Sequence, residues 1–194
     1  AALCAGSPLL GGRRGFWPPS REEWSALLSK LTAGMDAAVS RLHGPGLVRG
    51  DVMASVYPPG RGAGFRRHVD NPEGDGRVLT AVYYVNAGWS RQDGALLRAW
   101  TAGAAGCGRE LEVVPAADRL VVFRADRVRH EVTPSTARRG PGHAGHRCAF
   151  TIWYYVEEGG LAQQRPVGRR RRLWPGARRL WLRAPRAAAA APRS

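Results

Sequence analysis

A histidine and an aspartate two residues apart, His68 and Asp70, precede a turn-forming run in the stretch HVDNPEGDGR. Alternate residues of a strand point to the same face, so the two side chains would converge without a special loop. Imidazole and carboxylate groups both bind transition metals. The pair therefore suggests a metal site, and the simpler alternative is a strand end with polar residues on its solvated face.

A metal site needs a third ligand, and His130 is the best placed of the remaining histidines. It follows the strand-like run RLVVF, so a neighbouring strand could present it. His43 ends a predicted helix, where a histidine is better explained by the helix dipole, and two others lie in the glycine-rich stretch RRGPGHAGH. His68, Asp70 and His130 would form the two-histidine, one-carboxylate set that suits non-haem Fe(II) and leaves positions open for co-substrates.

In such chemistry the co-substrate is often a 2-oxoacid, whose far carboxylate requires a cation. The planar guanidinium of arginine matches a carboxylate. Arg138 and Arg139 open a segment rich in glycine and proline, whereas Arg147 begins the β-rich run RCAFTIWYYV. We predict Arg147, because a strand holds a carboxylate contact more rigidly than a loop does.

The predicted strand that begins at Arg147 would place Thr151 and Trp153 on the same face as the guanidinium, because strands have a period of two. Tyr84, in the run AVYYVN, could donate a phenolic hydrogen bond to the same carboxylate. The alternative is an ordinary strand that starts with an arginine and a tyrosine that only packs.

The residues before and between these side chains predict the scaffold. Ser20 and Glu23 form a capping box at the start of a helix over residues 21–43, which Gly44 and Pro45 end. Short β-rich runs separated by Gly, Pro and Asp follow residue 46. They predict a mainly β fold, a sandwich or jelly roll with the helix packed outside. The apolar stripe of the helix comprises Trp24, Leu27, Leu28, Leu31, Met35, Val39 and Leu42.

The formal net charge of +15 is concentrated at one end of the 194-residue chain. Residues 165–194 contain ten arginines and no acid, so the remainder carries 20 basic and 15 acidic residues. We therefore expect no nucleic-acid partner for the core. Residues 169–172 could be a nuclear-import or polyanion-binding patch, and the simpler alternative is a solvated basic tail. No apolar run reaches the roughly 20 residues of a membrane helix. Three scattered cysteines favour a reducing compartment.

Residues 24–157 resemble the catalytic domain of the hypoxia-inducible factor prolyl hydroxylases, the Egl-nine family. The motifs that carry the resemblance are HVDNPEGDGR, TAVYYVN, GALLR, DRLVVF, ADRVRHEVTP and RCAFTIWYYV, in this order. The resemblance implies a double-stranded β-helix and a peptidyl-prolyl 4-hydroxylase that uses Fe(II), O2 and 2-oxoglutarate, supported by ascorbate. It implies a proline-containing segment of hypoxia-inducible factor alpha as substrate, and a cytoplasmic or nuclear location.

The resemblance also implies roles for individual residues. It makes His68, Asp70 and His130 the iron ligands and places Arg147 and Tyr84 against the 2-oxoglutarate carboxylate. The residues that it places around the co-substrate and the pocket are Thr151, Leu97, Met53, Tyr57, Val82 and Trp153.

The chain departs from the family at several places. Phe65 stands where the family has a pocket tyrosine, and an insertion within ARRGPGHAGH separates His130 from Arg147. We predict an irregular segment over 1–19, a monomeric dioxygenase domain over 20–160, and a disordered tail rich in Arg, Ala and Pro over 161–194. The alternative functions are a dioxygenase that hydroxylates another protein and a relative that only binds partners.

Overall fold

The computed structural model describes residues 20–60, 62–101, 108–138, 145–156 and 178–182. These residues form one long helix, α1 (Arg21–His43), and a short 3₁₀ turn at Arg91–Asp93. The strands are β1 (Leu47–Tyr57), β2 (Phe65–His68), β3 (Arg77–Tyr84), β4 (Leu97–Thr101), β5 (Arg109–Val113), β6 (Arg119–Arg124), β7 (Arg129–Val132), β8 (Arg147–Val156) and β9 (Arg178–Leu182). No helix in these described ranges is long and apolar enough to cross a membrane.

Helix α1 has the predicted bounds. The backbone N–H of Ser20 donates to Glu23 at 2.8 Å, and the Ser20 hydroxyl accepts from the Glu23 N–H at 3.1 Å, which completes the capping box. The stripe is buried most deeply at Met35 and Val39, each 2% exposed, whereas Leu42 is 71% exposed. The last turn therefore extends beyond the surface that covers the rest of the stripe.

The strands form two antiparallel sheets. The five-stranded sheet has the order β6-β3-β8-β1-β9, and the four-stranded sheet has the order β2-β7-β4-β5. This confirms the prediction of a mainly β fold with a flanking helix. It is consistent with the core of a double-stranded β-helix, in which two facing sheets enclose a site.

The two faces of the five-stranded sheet have different roles because side chains alternate along each strand. One face packs under α1, and this core comprises Met35, Val39, Val52, Leu79, Ala81, Ile152 and Tyr154. The opposite face brings Val82, Tyr84 and Ala149 against Leu97 of the four-stranded sheet. Residues that belong to a site between the sheets must lie on this second face.

Asp36 fixes α1 to the sheet through polar contacts. The Tyr154 hydroxyl donates to Asp36 Oδ1 at 2.7 Å, and Arg49 Nε donates to Asp36 Oδ2 at 3.1 Å. Because Tyr154 is only 2% exposed, the acceptor satisfies a hydroxyl that would otherwise be buried without a partner.

The prediction of a disordered tail is wrong for Arg178–Leu182. These residues form β9, which pairs antiparallel with β1 from Val52↔Leu182 to Val56↔Arg178. The five residues have little pattern of their own, but β1 offers unpaired backbone groups along its outer edge, and pairing satisfies them. The rest of the tail, and the predicted irregular segment 1–19, lie outside the described residues.

Cys148, in β8, is disulfide-bonded. This differs from the expectation of reduced thiols that the number and scattering of the cysteines suggested. The other two cysteines, Cys4 and Cys107, lie outside the described residues.

Candidate metal centre and co-substrate site

The three predicted metal ligands lie together at one end of the four-stranded sheet. His68 is the last residue of β2 and pairs in register with His130 of β7. Asp70 Oδ1 is 3.2 Å from His68 Nε2, and Asp70 Oδ2 is 3.8 Å from His130 Nε2. The possible ligand atoms of all three residues lie within 4.8 Å of one another. The predicted convergence is therefore present.

Asp70 does not lie on the strand that presents His68, contrary to the prediction that both side chains project from one strand face. Strand β2 ends at His68, so Asp70 lies in the following turn and its direction is not set by strand alternation. The Thr80 hydroxyl, from β3 in the other sheet, donates to Asp70 Oδ2 at 2.6 Å. Asn71 orders the turn, since its side chain donates to Arg77 O at 2.9 Å and accepts from Asp75 N–H at 2.7 Å.

Both histidines present the same nitrogen to the site. His68 Nδ1 lies 2.8 Å from the carbonyl oxygen of Arg66, and His130 Nδ1 lies 3.1 Å from that of Val128. A proton on each Nδ1 would make both hydrogen bonds and leave the lone pair of each Nε2 for a metal. This is the arrangement by which backbone carbonyls orient metal-binding imidazoles.

The electrostatics of the centre favour ligands in their metal-binding forms. Burial lowers the pKa of His130 below its ordinary value, which keeps the imidazole neutral at neutral pH. Burial alone would raise the pKa of Asp70, but the hydrogen bond with His68, the nearby His130 and the Thr80 hydroxyl together hold that pKa well below its usual value. Asp70 is therefore a carboxylate.

These three residues fit a divalent metal with open positions. Adjacent ligand atoms of an octahedral ion with bonds of about 2.1 Å are separated by about 3 Å, close to the shorter distance in the triad. Two imidazoles and one carboxylate on one side of the ion are the donor set of non-haem Fe(II) oxygenases. The residues present thus fit Fe(II), with further positions left for small ligands.

A buried arginine lies in the same inter-sheet space. Arg147, the first residue of β8, is only 2% exposed. Its Nε donates to the carbonyl oxygen of Ala95 at 3.2 Å, its Nη2 donates to the Tyr84 hydroxyl at 3.4 Å, and its guanidinium lies 4.8 Å from the ring centre of Tyr57. None of these partners in the described ranges is a carboxylate. A buried cation with only neutral partners is costly, which makes the site suited to an anion.

The neutral partners of Arg147 are themselves suited to an anion site. Burial raises the pKa of Tyr84, and the positive charge of Arg147 opposes that shift without reversing it, so the phenol keeps its proton. Because the Tyr84 oxygen accepts from Arg147, its O–H remains able to donate to a carboxylate. Ala95 adopts a left-handed φ of 49°, an uncommon conformation for a residue with a side chain, and its carbonyl contacts the guanidinium.

Residues 52–155 match the 2OG-Fe(II) oxygenase superfamily, and the match spans the triad and Arg147. The chain belongs to this superfamily.

Within this superfamily, the chain is similar in sequence to two human proteins. The chain is 38% identical over 157 residues to the human prolyl hydroxylase EGLN3, an alignment that covers 77% of this chain and 60% of that protein. It is 35% identical to human Egl nine homolog 1 over 72% of this chain and 32% of that protein. The chain thus spans less than two thirds of the length of these relatives.

Solved structures show the same relationship. A prolyl hydroxylase from Trichoplax adhaerens, in complex with a peptide fragment of the hypoxia inducible factor oxygen degradation domain, superposes with a TM-score of 0.54 at 34% identity. The alignment covers 66% of this chain and 55% of that one. A Pseudomonas putida prolyl-4-hydroxylase superposes with a TM-score of 0.52 at 31% identity, covering 73% and 70% of the two chains.

Strand register places the other predicted pocket residues of this oxygenase on the inner face. Thr151 of β8 pairs with Met53 of β1 on one side and with Val82 of β3 on the other. Trp153 pairs with Thr80, so it lies at the end of the sheet where Asp70 is bound. Residues on neighbouring strands that are paired directly share a face.

The remaining pocket residues are also buried. Tyr57 pairs with Arg147 and is 4% exposed, and Leu97 is 3% exposed within the core that contains Tyr84. Phe65, which replaces the family's tyrosine, packs edge-on against His68 with ring centres 4.6 Å apart. It therefore supports a ligand ring but cannot supply a hydroxyl.

The candidate arginines that the structure describes differ in burial. Arg138 is exposed, Arg147 is buried at the start of a strand, and Arg139 lies outside the described residues. The predicted choice of Arg147 agrees with its position in the inter-sheet space of the oxygenase fold.

Sequence reasoning missed Thr80 and the carbonyl of Ala95. Thr80 could have been found, because a period of two from Tyr84 and Val82 puts its hydroxyl on the same face of β3. The role of Ala95 had no sequence signature, since a backbone carbonyl is present in every residue.

Proposed function

We propose that this chain is an Fe(II)- and 2-oxoglutarate-dependent prolyl 4-hydroxylase. The observation that carries the proposal is the buried Arg147, which shares one inner sheet face with the residue that binds Asp70 of the triad. Thr80, which contacts Asp70, and Tyr84, which contacts Arg147, are four positions apart along β3, or about 13 Å of strand. Such a cleft would accept a ligand that is anionic at one end and binds a metal at the other.

His68, Asp70 and His130 would hold Fe(II), which when bound supplies the oxidative chemistry that couples O2 and 2-oxoglutarate to hydroxylation. Arg147 and Tyr84 would bind the distal carboxylate of 2-oxoglutarate. Leu97, Val82 and the ring of Tyr57 would exclude water around the carbon chain of the co-substrate, which strengthens the charged contacts.

The protein substrate that we propose is a proline-containing segment of hypoxia-inducible factor alpha. Support comes from the identities with prolyl hydroxylase EGLN3 and Egl nine homolog 1, and from the peptide in the related Trichoplax adhaerens complex. We further propose ascorbate as a supporting reductant, a monomeric protein, and action in the cytoplasm or nucleus. These proposals rest on the family resemblance.

A second candidate is the hydroxylation of proline in another protein. Phe65 in place of a pocket tyrosine favours it, because the family's hydroxyl is lost beside the metal ligand His68. A relative that only binds partners is disfavoured, since the complete triad and the buried arginine would serve no purpose in binding alone.

The test is 2-oxoglutarate turnover by the purified full chain with Fe(II) and ascorbate. Succinate release would be measured with and without an oxygen-degradation-domain peptide, and the peptide would be analysed for a mass gain of one oxygen. His130→Ala is the matched inactive control. Peptide-stimulated succinate release with oxygen gain supports the first function. Turnover that other proline peptides stimulate and this one does not supports the second, and absence of turnover in the metal-loaded protein contradicts both.

A further inference from the structure

Asn86 is a buried side chain that the proposed chemistry does not use. It lies two residues after the end of β3 and is 5% exposed. Its Oδ1 accepts from the backbone N–H of Cys148 at 2.6 Å, and its Nδ2 donates to the carbonyl oxygens of Cys148 at 3.0 Å and Pro115 at 2.7 Å. The amide thus binds both backbone groups of the residue that follows Arg147.

These hydrogen bonds replace a missing part of the β ladder. The backbone pairing of β3 with β8 ends at Tyr84↔Ala149, one pair short of Cys148. The Asn86 amide offers one acceptor and two donors in a plane, as a neighbouring strand would. The start of β8 is therefore held on one side by β1, through Tyr57↔Arg147, and on the other side by Asn86, and Cys148 is in addition disulfide-bonded.

The position of Arg147 depends on the pairing of β8 with β1 and on the hydrogen bonds from Asn86. Its guanidinium has only two described hydrogen bonds, one to Ala95 at 3.2 Å and one to Tyr84 at 3.4 Å, and the second is long. Contacts of this kind do not fix a long side chain by themselves, so the direction of the guanidinium follows from the backbone at residues 147 and 148. Asn86 also joins this backbone to the loop at Pro115.

We propose that Asn86 is a positioning residue for the distal carboxylate of the co-substrate, acting through the backbone of Cys148 on Arg147. This inference rests on the proposed function, because it takes a 2-oxo dicarboxylate as the ligand. Loss of the amide would remove two hydrogen bonds from the backbone of Cys148, so the start of β8 would shift within the limits that β1 and the disulfide leave. The guanidinium would then be displaced from the carboxylate, while the triad at the other end of the cleft would be unaffected.

The experiment compares two ligands that differ only at the distal end. 2-Oxoglutarate and 2-oxopentanoate, which has the same carbon chain without the second carboxylate, are titrated into the Mn(II)-loaded full chain by calorimetry. The variants are Asn86→Ala and the milder Asn86→Asp, which retains an acceptor for Cys148. Tyr154→Phe is the matched control, since it removes a buried hydrogen bond to Asp36 far from Arg147 and should lower stability alone.

We expect Asn86→Ala to weaken 2-oxoglutarate binding about tenfold, on the scale of one impaired charge-assisted hydrogen bond, and to leave 2-oxopentanoate and Mn(II) binding unchanged. Asn86→Asp should shift the same ratio in the same direction, and Tyr154→Phe should not shift it. Equal weakening of both ligands, or unchanged 2-oxoglutarate binding, would overturn the role of Asn86. If the wild-type chain itself fails to prefer 2-oxoglutarate, the proposed function fails instead.

Discussion

Thr80 and Asp70 are joined across the two sheets by a hydrogen bond of 2.6 Å in which the Thr80 hydroxyl donates to Asp70 Oδ2. Thr80 is 1% exposed, and Asp70 follows the end of a strand rather than lying within it. Thr80 of the five-stranded sheet therefore orients the Asp70 carboxylate, although the two histidines belong to the four-stranded sheet. Assembly of the metal centre depends on the packing of the two sheets.

Replacing Thr80 with valine should weaken metal binding, because the side chain keeps its shape but loses the hydrogen bond that orients Asp70. Partners of this kind typically contribute about 10- to 100-fold to metal affinity. Calorimetric titration with Mn(II) measures the change, and Thr80→Ser is the control that keeps the hydroxyl. An affinity that is the same in the valine variant and the wild type would show that Asp70 is oriented by the turn alone.

Replacing Asp70 with alanine should abolish both metal binding and turnover. The remaining His68 and His130 supply only two neutral ligands, and the negative charge that offsets the charge of the ion is lost. Mn(II) titration and succinate release would be measured on the same preparation, with circular dichroism to confirm folding. Full turnover in a folded Asp70→Ala protein would remove this triad as the metal centre.

Arg147→Ala should raise the 2-oxoglutarate concentration required for half-maximal turnover by about 10- to 100-fold, as expected for loss of a charge-assisted hydrogen bond. The matched control is Arg138→Ala, because Arg138 is exposed and opens the insertion. We expect that control, and Arg139→Ala, to change the requirement little. The opposite ranking would place the carboxylate contact in the insertion rather than on β8.

Deleting residues 161–194 should leave a folded but less stable domain. The deletion removes β9 and exposes the β1 edge from Val52 to Val56. At about 0.2–1 kcal/mol for each of the five lost cross-strand pairs, the melting temperature should fall by about 2 to 20 °C. A chain that ends after residue 183, and so keeps β9, is the control.

Light scattering of the same two truncated chains tests the exposed edge. An unpaired edge strand is a template for association, so only the shorter chain should form larger species. Equal melting temperatures and equal sizes for the two truncated chains would show that β9 contributes nothing to the sheet.

Local sequence patterns determined the helix and the identity of the principal site residues. The capping box, the apolar stripe and Gly44 set both ends of α1, because helix caps and helical periodicity act over a few neighbouring residues. Residue chemistry selected His68, Asp70 and His130, and the stiffness of a strand favoured Arg147 over Arg138. These inferences needed only residue type and spacing, which the chain carries without reference to its fold.

Tertiary structure decided what depends on contacts between residues distant in the chain. It alone showed that Asp70 is held by Thr80 and not by strand alternation, and that Asn86 completes the ladder beside Arg147. It also gave β9 its strand conformation, since the edge of β1 supplies the hydrogen bonds that the tail cannot make by itself. Backbone groups of this kind are the same in every residue, so only their arrangement in space distinguishes a partner from a neighbour.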